Sequence, residues 1–166
     1  MADNFYTGVR HGDEIVVSIG KYTSTTEGET TTTEWVYEKV SHREGFDPDI
    51  PEDTMAIFDG LEYKGDKKIQ VEKTLSISQA MPSDYSSGLF AYEDLSGLVI
   101  KEEIVPNDGS TVEGDSERFF TNVNLRKVST DSVPNSGEFN ITVVGRYNDI
   151  VGTEPSGSED WIETYE

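Results

Sequence analysis

Apolar residues recur at every second position over residues 68–78. Ile69, Val71, Leu75 and Ile77 fall on one side, and Gln70, Glu72, Thr74, Ser76 and Ser78 on the other. Period-two alternation of this length predicts a half-buried β-strand. Lys73 interrupts the apolar side, which places it near a sheet edge or a subunit contact. Pro82-Ser83-Asp84 stops the strand and opens a helix, with Ser83 as N-cap and Asp84 at the positive end of the helix dipole. Tyr85, Leu89, Tyr92 and Leu95 follow at about helical spacing, with Phe90 beside them, and Gly97 closes the element. The pattern predicts one flanking α-helix over about residues 83–96 and a return strand over 98–104.

Elsewhere the chain reads as strand or loop. Strands are expected at 14–19 and 35–40, and an apolar pattern resumes over 55–63, with Lys64-Gly65-Asp66 turning into the next strand. Residues 118–127 alternate, with Phe119, Val123 and Leu125 on one side, and 139–147 alternate with Phe139, Ile141 and Val143 inward. Phe139, Ile141, Val143, Ile69, Val71, Leu75 and Ile77 are the expected core. Asn107-Asp108-Gly109 and Asn135-Ser136-Gly137 mark turns. Residues 20–33, rich in Thr, Gly and Glu, fit two readings equally: a mobile solvated loop, or an extended hairpin that orders only against a neighbour. Strands spaced by turns suggest a mainly β sandwich or barrel. One domain is expected over 1–166, with an N-terminal arm at 1–12, the β core at 13–149 and a C-terminal arm at 150–166.

Composition strengthens the β assignment: Ala and Leu together number 10, against 42 for Thr, Val and Ile. No cysteine is present, which excludes disulfides and thiolate chemistry. No apolar run approaches the roughly 20 residues of a membrane span, so no membrane anchor is expected. The formal charge of −20 argues against conventional binding of nucleic acid phosphates. Such a charge serves solubility, suits a high-salt habitat, or forms a surface past which a polyanion moves without sticking.

Catalytic signatures are missing. His11 and His42 fall in expected loops, there is no Gly-x-Ser-x-Gly elbow, and no Gly-rich phosphate loop precedes Lys-Ser or Lys-Thr. Acidic loops at 47–53 and 107–117 supply oxygen ligands of the kind calcium takes, without the spaced Asp-x-Asp-x-Asp-Gly pattern. The expectation is a non-enzyme without catalytic, cofactor or metal residues.

The order of elements carries a resemblance. A strand at 69–78 ending at Gln79 runs into the helix, and a further strand leads to Asn107-Asp108-Gly109. Phe119-Phe120-Thr121-Asn122-Val123 opens an aromatic-led strand, and a Ser/Asn-rich turn precedes Gly137-Glu138-Phe139-Asn140-Ile141-Thr142-Val143-Val144-Gly145-Arg146. This resembles the major tail tube proteins of long-tailed bacteriophages and related archaeal viruses. The resemblance implies a virion structural protein made in the host cytoplasm, whose hexameric rings stack into a tube through a long loop and terminal arms. It also implies tape-measure and tail-end proteins as partners, and DNA passing through an acidic lumen without specific binding.

Under that reading Gln70, Glu72, Thr74, Ser76, Asn140 and Thr142 are candidates to face the lumen. Thr25, Thr26, Glu27, Gly28, Glu29, Thr30, Thr31 and Thr32 are candidates for the loop between rings, with residues 45–65 as the other stretch suited to that role. A tail terminator or head–tail joining protein shares much of the expected fold. A β-sandwich carbohydrate-binding module, with Trp35, Tyr37 or Trp161 as stacking platforms, is the alternative from another class.

Overall fold

The computed structural model describes residues 13–80, 92, 95–111, 116–132 and 139–157; at 44, 80, 127–132 and 139–140 it describes the backbone only. The strands are β1 (Glu14–Glu27), β2 (Thr30–His42), β3 (Phe46–Pro48), β4 (Thr54–Asp59), β5 (Glu62–Lys68), β6 (Thr74–Ala80), β7 (Leu98–Val105), β8 (Glu117–Ser132), β9 (Phe139–Arg146) and β10 (Asp149–Val151). A 3-10 turn at Arg43–Gly45 joins β2 to β3. All pairings among them are antiparallel.

Eight strands form one sheet in the order β2-β1-β7-β8-β9-β6-β3, with β10 also on β8; β4 and β5 form a separate two-stranded sheet. The long β8 holds the two halves together. Its first part pairs with β7 and β10, and from Asn124 onward it pairs with β9. At the changeover Asn122 adopts φ 49, and the register slips between Leu125 and Lys127. Asparagine tolerates the left-handed region better than other side-chain-bearing residues, and a bulge bends a strand, so the sheet can fold over here.

One continuous core then draws on both halves: Val17, Ile19, Leu98, Ile100 and Phe120 from one, Phe46, Leu75, Ile77, Ile141 and Val143 from the other. Phe120 sits at its centre, edge-on to Phe46 at 5.1 Å and to Tyr147 at 5.1 Å. The mainly β expectation holds, and the arrangement is compatible with the expected sandwich.

Three expectations need correction or restriction. The strand expected over 68–78 is interrupted: β5 ends at Lys68 and β6 begins at Thr74. Between them the chain is held by bonds to other segments. Ile69 donates its N–H to the Asp53 carbonyl at 2.8 Å, and the Lys73 carbonyl accepts from the Tyr147 N–H at 3.1 Å. Leu75, Ile77, Ile141 and Val143 enter the core, whereas Ile69 and Val71 are only half-buried. The side chain of Phe139 lies outside the described residues. Most of the helix expected over 83–96 also lies outside them; Tyr92 is buried in the core, and Leu95 and Ser96 lie outside any helix.

Residues 20–33 form the extended hairpin of the second reading, but within the single chain rather than only against a neighbour. β1 and β2 stay in register from Ser18↔Lys39 out to Glu27↔Thr30. Gly28 turns the chain at φ 64, a value that favours glycine in a two-residue hairpin turn.

Candidate functional site

The β4–β5 hairpin is the feature that the folded chain itself does not use. Among the described residues its strands pair only with each other, with a register slip between Ile57 and Phe58 and Gly60 turning at φ 64. Met55, Ile57, Phe58 and Tyr63 are exposed, and Leu61 at the turn is completely so. Phe58 and Tyr63 stack edge-on at 5.8 Å, and the Tyr63 hydroxyl donates to Asp66 at 2.7 Å, a bond that raises the tyrosine pKa. The hairpin thus concentrates exposed apolar side chains on a projecting ribbon, a composition associated with interaction surfaces.

A second feature is the polar face of the β6–β9 pair. Thr74, Ser76 and Ser78 stand opposite Arg146, Val144 and Thr142 across the two strands. Ser78 and Thr142 share a hydrogen bond at 3.0 Å, and Arg146 donates to Glu72 at 2.6 Å. This face forms the wall of an open groove of about 540 Å³ that also takes in Asp47, Asp49 and Arg126. Of the residues expected to face a lumen, Glu72, Thr74 and Ser76 therefore line one groove, and Thr142 lies further along the strand pair, opposite Ser78. Gln70 is exposed in the connector between β5 and β6, and the Asn140 side chain lies outside the described residues.

The third feature covers the opposite surface, on β1, β2 and β7. Trp35, Val99 and Phe119 form a small second core, with Tyr22, Tyr37 and Val151 packed against it. Residues 154–157 cross this face. The Trp35 indole N–H donates to the Pro155 carbonyl at 2.8 Å, the Tyr22 hydroxyl to the Ser156 carbonyl at 3.3 Å, and the Tyr37 hydroxyl to Glu154 Oε2 at 2.9 Å. Burial, followed by the bond to Glu154, holds the Tyr37 pKa well above its ordinary value. Trp35 is buried with its N–H engaged, so it is not the open sugar platform considered from sequence. Trp161 lies outside the described residues.

Sequence reasoning missed one charged site altogether. Glu102 is fully buried between Ile100 and Ile104, and Arg118, directly opposite on β8, donates to its Oε1 from Nε at 3.1 Å and from Nη2 at 2.7 Å. Arg43 Nε lies 3.9 Å from the other oxygen. The only signal was an acid at an inward-facing position of an alternating strand.

His42 ends β2 and is exposed, and His11 lies outside the described residues. Among the described residues, no group of three or more His, Asp or Glu side chains could hold a metal ion, and no helix is long and apolar enough to cross a membrane.

No protein-family model matches the chain, and no curated protein matches it in sequence. Solved structures do match in fold. A chain of the sheath/tube terminator of an extracellular contractile injection system, PVC, aligns at TM-score 0.57 and 14% identity, covering 86% of this chain and 94% of that one. A chain of the PVC sheath–tube complex aligns at 0.54 and 15%, covering 83% and 86%. The tube-terminating cap of the anti-feeding prophage gives 0.47 at 11% identity, covering 82% and 85%. The fold is thus one found in chains of the sheath/tube terminator and the sheath–tube complex of an extracellular contractile injection system.

Proposed function

We propose that this chain is a structural subunit of a tail-like particle, a terminator that closes the end of a tube as a ring of identical copies. The observation that carries the reading is the apolar β4–β5 hairpin, whose Phe58 and Leu61 stay largely exposed and whose strands, among the described residues, pair only with each other, which suits a contact with another chain. The near-complete alignment with a sheath/tube terminator chain supports the tube end as the place. A hexameric ring is the finer proposal. In it, Glu72, Thr74, Ser76 and Thr142, with Gln70 and Asn140, face a channel whose acidity keeps DNA from sticking. Tail-end and tape-measure proteins would be its neighbours, and the assembled tail its location.

A tube subunit is the second reading, favoured by the alignment with a chain of a sheath–tube complex. Negative-stain electron microscopy of the concentrated protein separates the two. A terminator gives closed single rings that do not stack, a tube subunit gives extended tubes, and protein that stays monomeric at every concentration contradicts both.

A further inference from the structure

We propose that Asp59-Gly60, at the tip of the β4–β5 hairpin, is a site of spontaneous backbone isomerisation that retires copies left unassembled. The retirement rests on the hairpin contact proposed above; the chemistry does not. The sequence contains two Asp-Gly pairs and no Asn-Gly pair. In both pairs the glycine turns at positive φ on the surface, Gly60 at 64 and Gly109 at 71. A glycine offers its nitrogen with no side chain to hinder attack, and a Cβ on either glycine would meet nothing within 4 Å. The glycine nitrogen, losing its proton, attacks Cγ of the aspartate. The new C–N bond closes a five-membered succinimide, and one water leaves. Water then opens the ring. Addition at the former main-chain carbonyl routes the backbone through Cβ and Cγ as isoaspartate, and addition at the other carbonyl restores aspartate. Water released equals water consumed, and no other reactant enters.

The two pairs differ in how their reacting groups are held. At the second, the Asp108 carboxylate accepts the Ser110 N–H at 2.9 Å, and the Gly109 N–H donates to the Pro106 carbonyl at 3.4 Å. Ring closure there must break both bonds. At the first, Asp59↔Glu62 is the last pair of the ladder, and Gly60 lies beyond it. The Asp59 carboxylate is exposed and meets no partner among the described residues. Isomerisation there inserts one methylene into the main chain of a two-residue turn and moves the carboxylate onto Cα. The Asp59↔Glu62 pairing then no longer fits, and Phe58 and Leu61, on either side of the altered link, lose their fixed relation. A hairpin seated against another chain is held in place, so the reaction acts on copies that remain free.

The intact chain, aged for weeks at physiological temperature and then digested, tests the site without any substitution. Mass spectrometry with electron-transfer fragmentation locates isoaspartate. The expected result is isoaspartate at Asp59 several-fold above that at Asp108; equal levels, or more at Asp108, would overturn the site. Separating the aged protein by size tests the retirement. Isoaspartate at Asp59 should be several-fold richer in the monomer than in rings. Asp59→Glu, whose longer side chain can close only a six-membered ring, should assemble after ageing as it does when fresh. Equal isoaspartate in monomer and rings would overturn the retirement and leave the hairpin contact standing. A fresh chain that forms no rings would overturn the contact and the retirement with it, while the ratio of Asp59 to Asp108 in the same digest still decides the site.

Discussion

The β1–β2 hairpin sends Val17, Ile19 and Val40 from its base into the core and ends in Ser, Thr and Glu, whereas the β4–β5 hairpin holds Met55, Ile57, Phe58, Leu61 and Tyr63 outside it. The first is complete as a solvated ribbon. Ser24 pairs with Thr33 and Thr26 with Thr31 through their hydroxyls, each at 3.1 Å, and the remaining polar atoms meet water. The second has a ring pair and a hydroxyl–carboxylate bond of its own, but much of its apolar surface stays exposed among the described residues. Folding therefore accounts for the apolar residues at the base of the first hairpin, although Val36 stays half exposed, and the proposed assembly would account for those of the second.

The contrast breaks most visibly beneath the first hairpin. Val17 on β1 pairs with Glu102, whose buried carboxylate meets Arg118. Glu102→Ala strands a buried guanidinium and is expected to cost about 3–5 kcal/mol, read as a fall in the denaturant midpoint. Ile19→Ala, at the hairpin base, should cost about 2–5 kcal/mol in the same assay. Leu61→Ala in the second hairpin should stay within about 0.5 kcal/mol, since that side chain is completely exposed in the single chain. A loss as large as that of Ile19→Ala would show that β4–β5 packs within its own chain.

Deleting residues 25–32 removes the polar end of the first hairpin and tests whether that end joins rings. With the contact on β4–β5, the shortened protein still assembles, and sedimentation matches the intact chain after correction for mass. Loss of assembly would return that role to the Thr-rich segment. The smallest effect concerns alkaline pH. Burial, and then the nearby Asp49 charge, push the Tyr147 pKa up to about 12, with Arg118 opposing. A pKa above the unfolded value, near 10, means that the folded state keeps its proton longer. Tyr147 thus contributes stability that is fully present below pH 10 and is lost as pH rises towards 12. Tyr147→Phe should flatten that part of the midpoint–pH profile.

Much of the fold was legible because its strands alternate. Leu75, Ile77, Ile141 and Val143 declared their inward side by period alone, and the turn at Asn107-Asp108-Gly109 lies between strands. The break at 69–73 was not legible, since Ile69 and Val71 keep the phase of β6 while the bonds that hold them out of it come from Asp53 and Tyr147. The Glu102–Arg118 pair was hidden for a related reason: its partners lie 16 residues apart, and only the β7–β8 register brings them together. Residues 45–65 were visible as a contact loop, but composition could not choose between them and the Thr-rich stretch. Exposure supports the proposal for residues 45–65, because one ribbon is polar at its end and the other carries Phe58 and Leu61 into solvent.

The central claim is that this exposed apolar hairpin exists for contact between copies. Sedimentation velocity across a concentration series, with the intact chain beside the Phe58→Ser/Leu61→Ser variant, tests it most directly. The account predicts ring-sized particles for the intact chain and a folded monomer for the variant, with the same denaturant midpoint for both monomers. Rings from the variant at the same concentrations as the intact chain would contradict it.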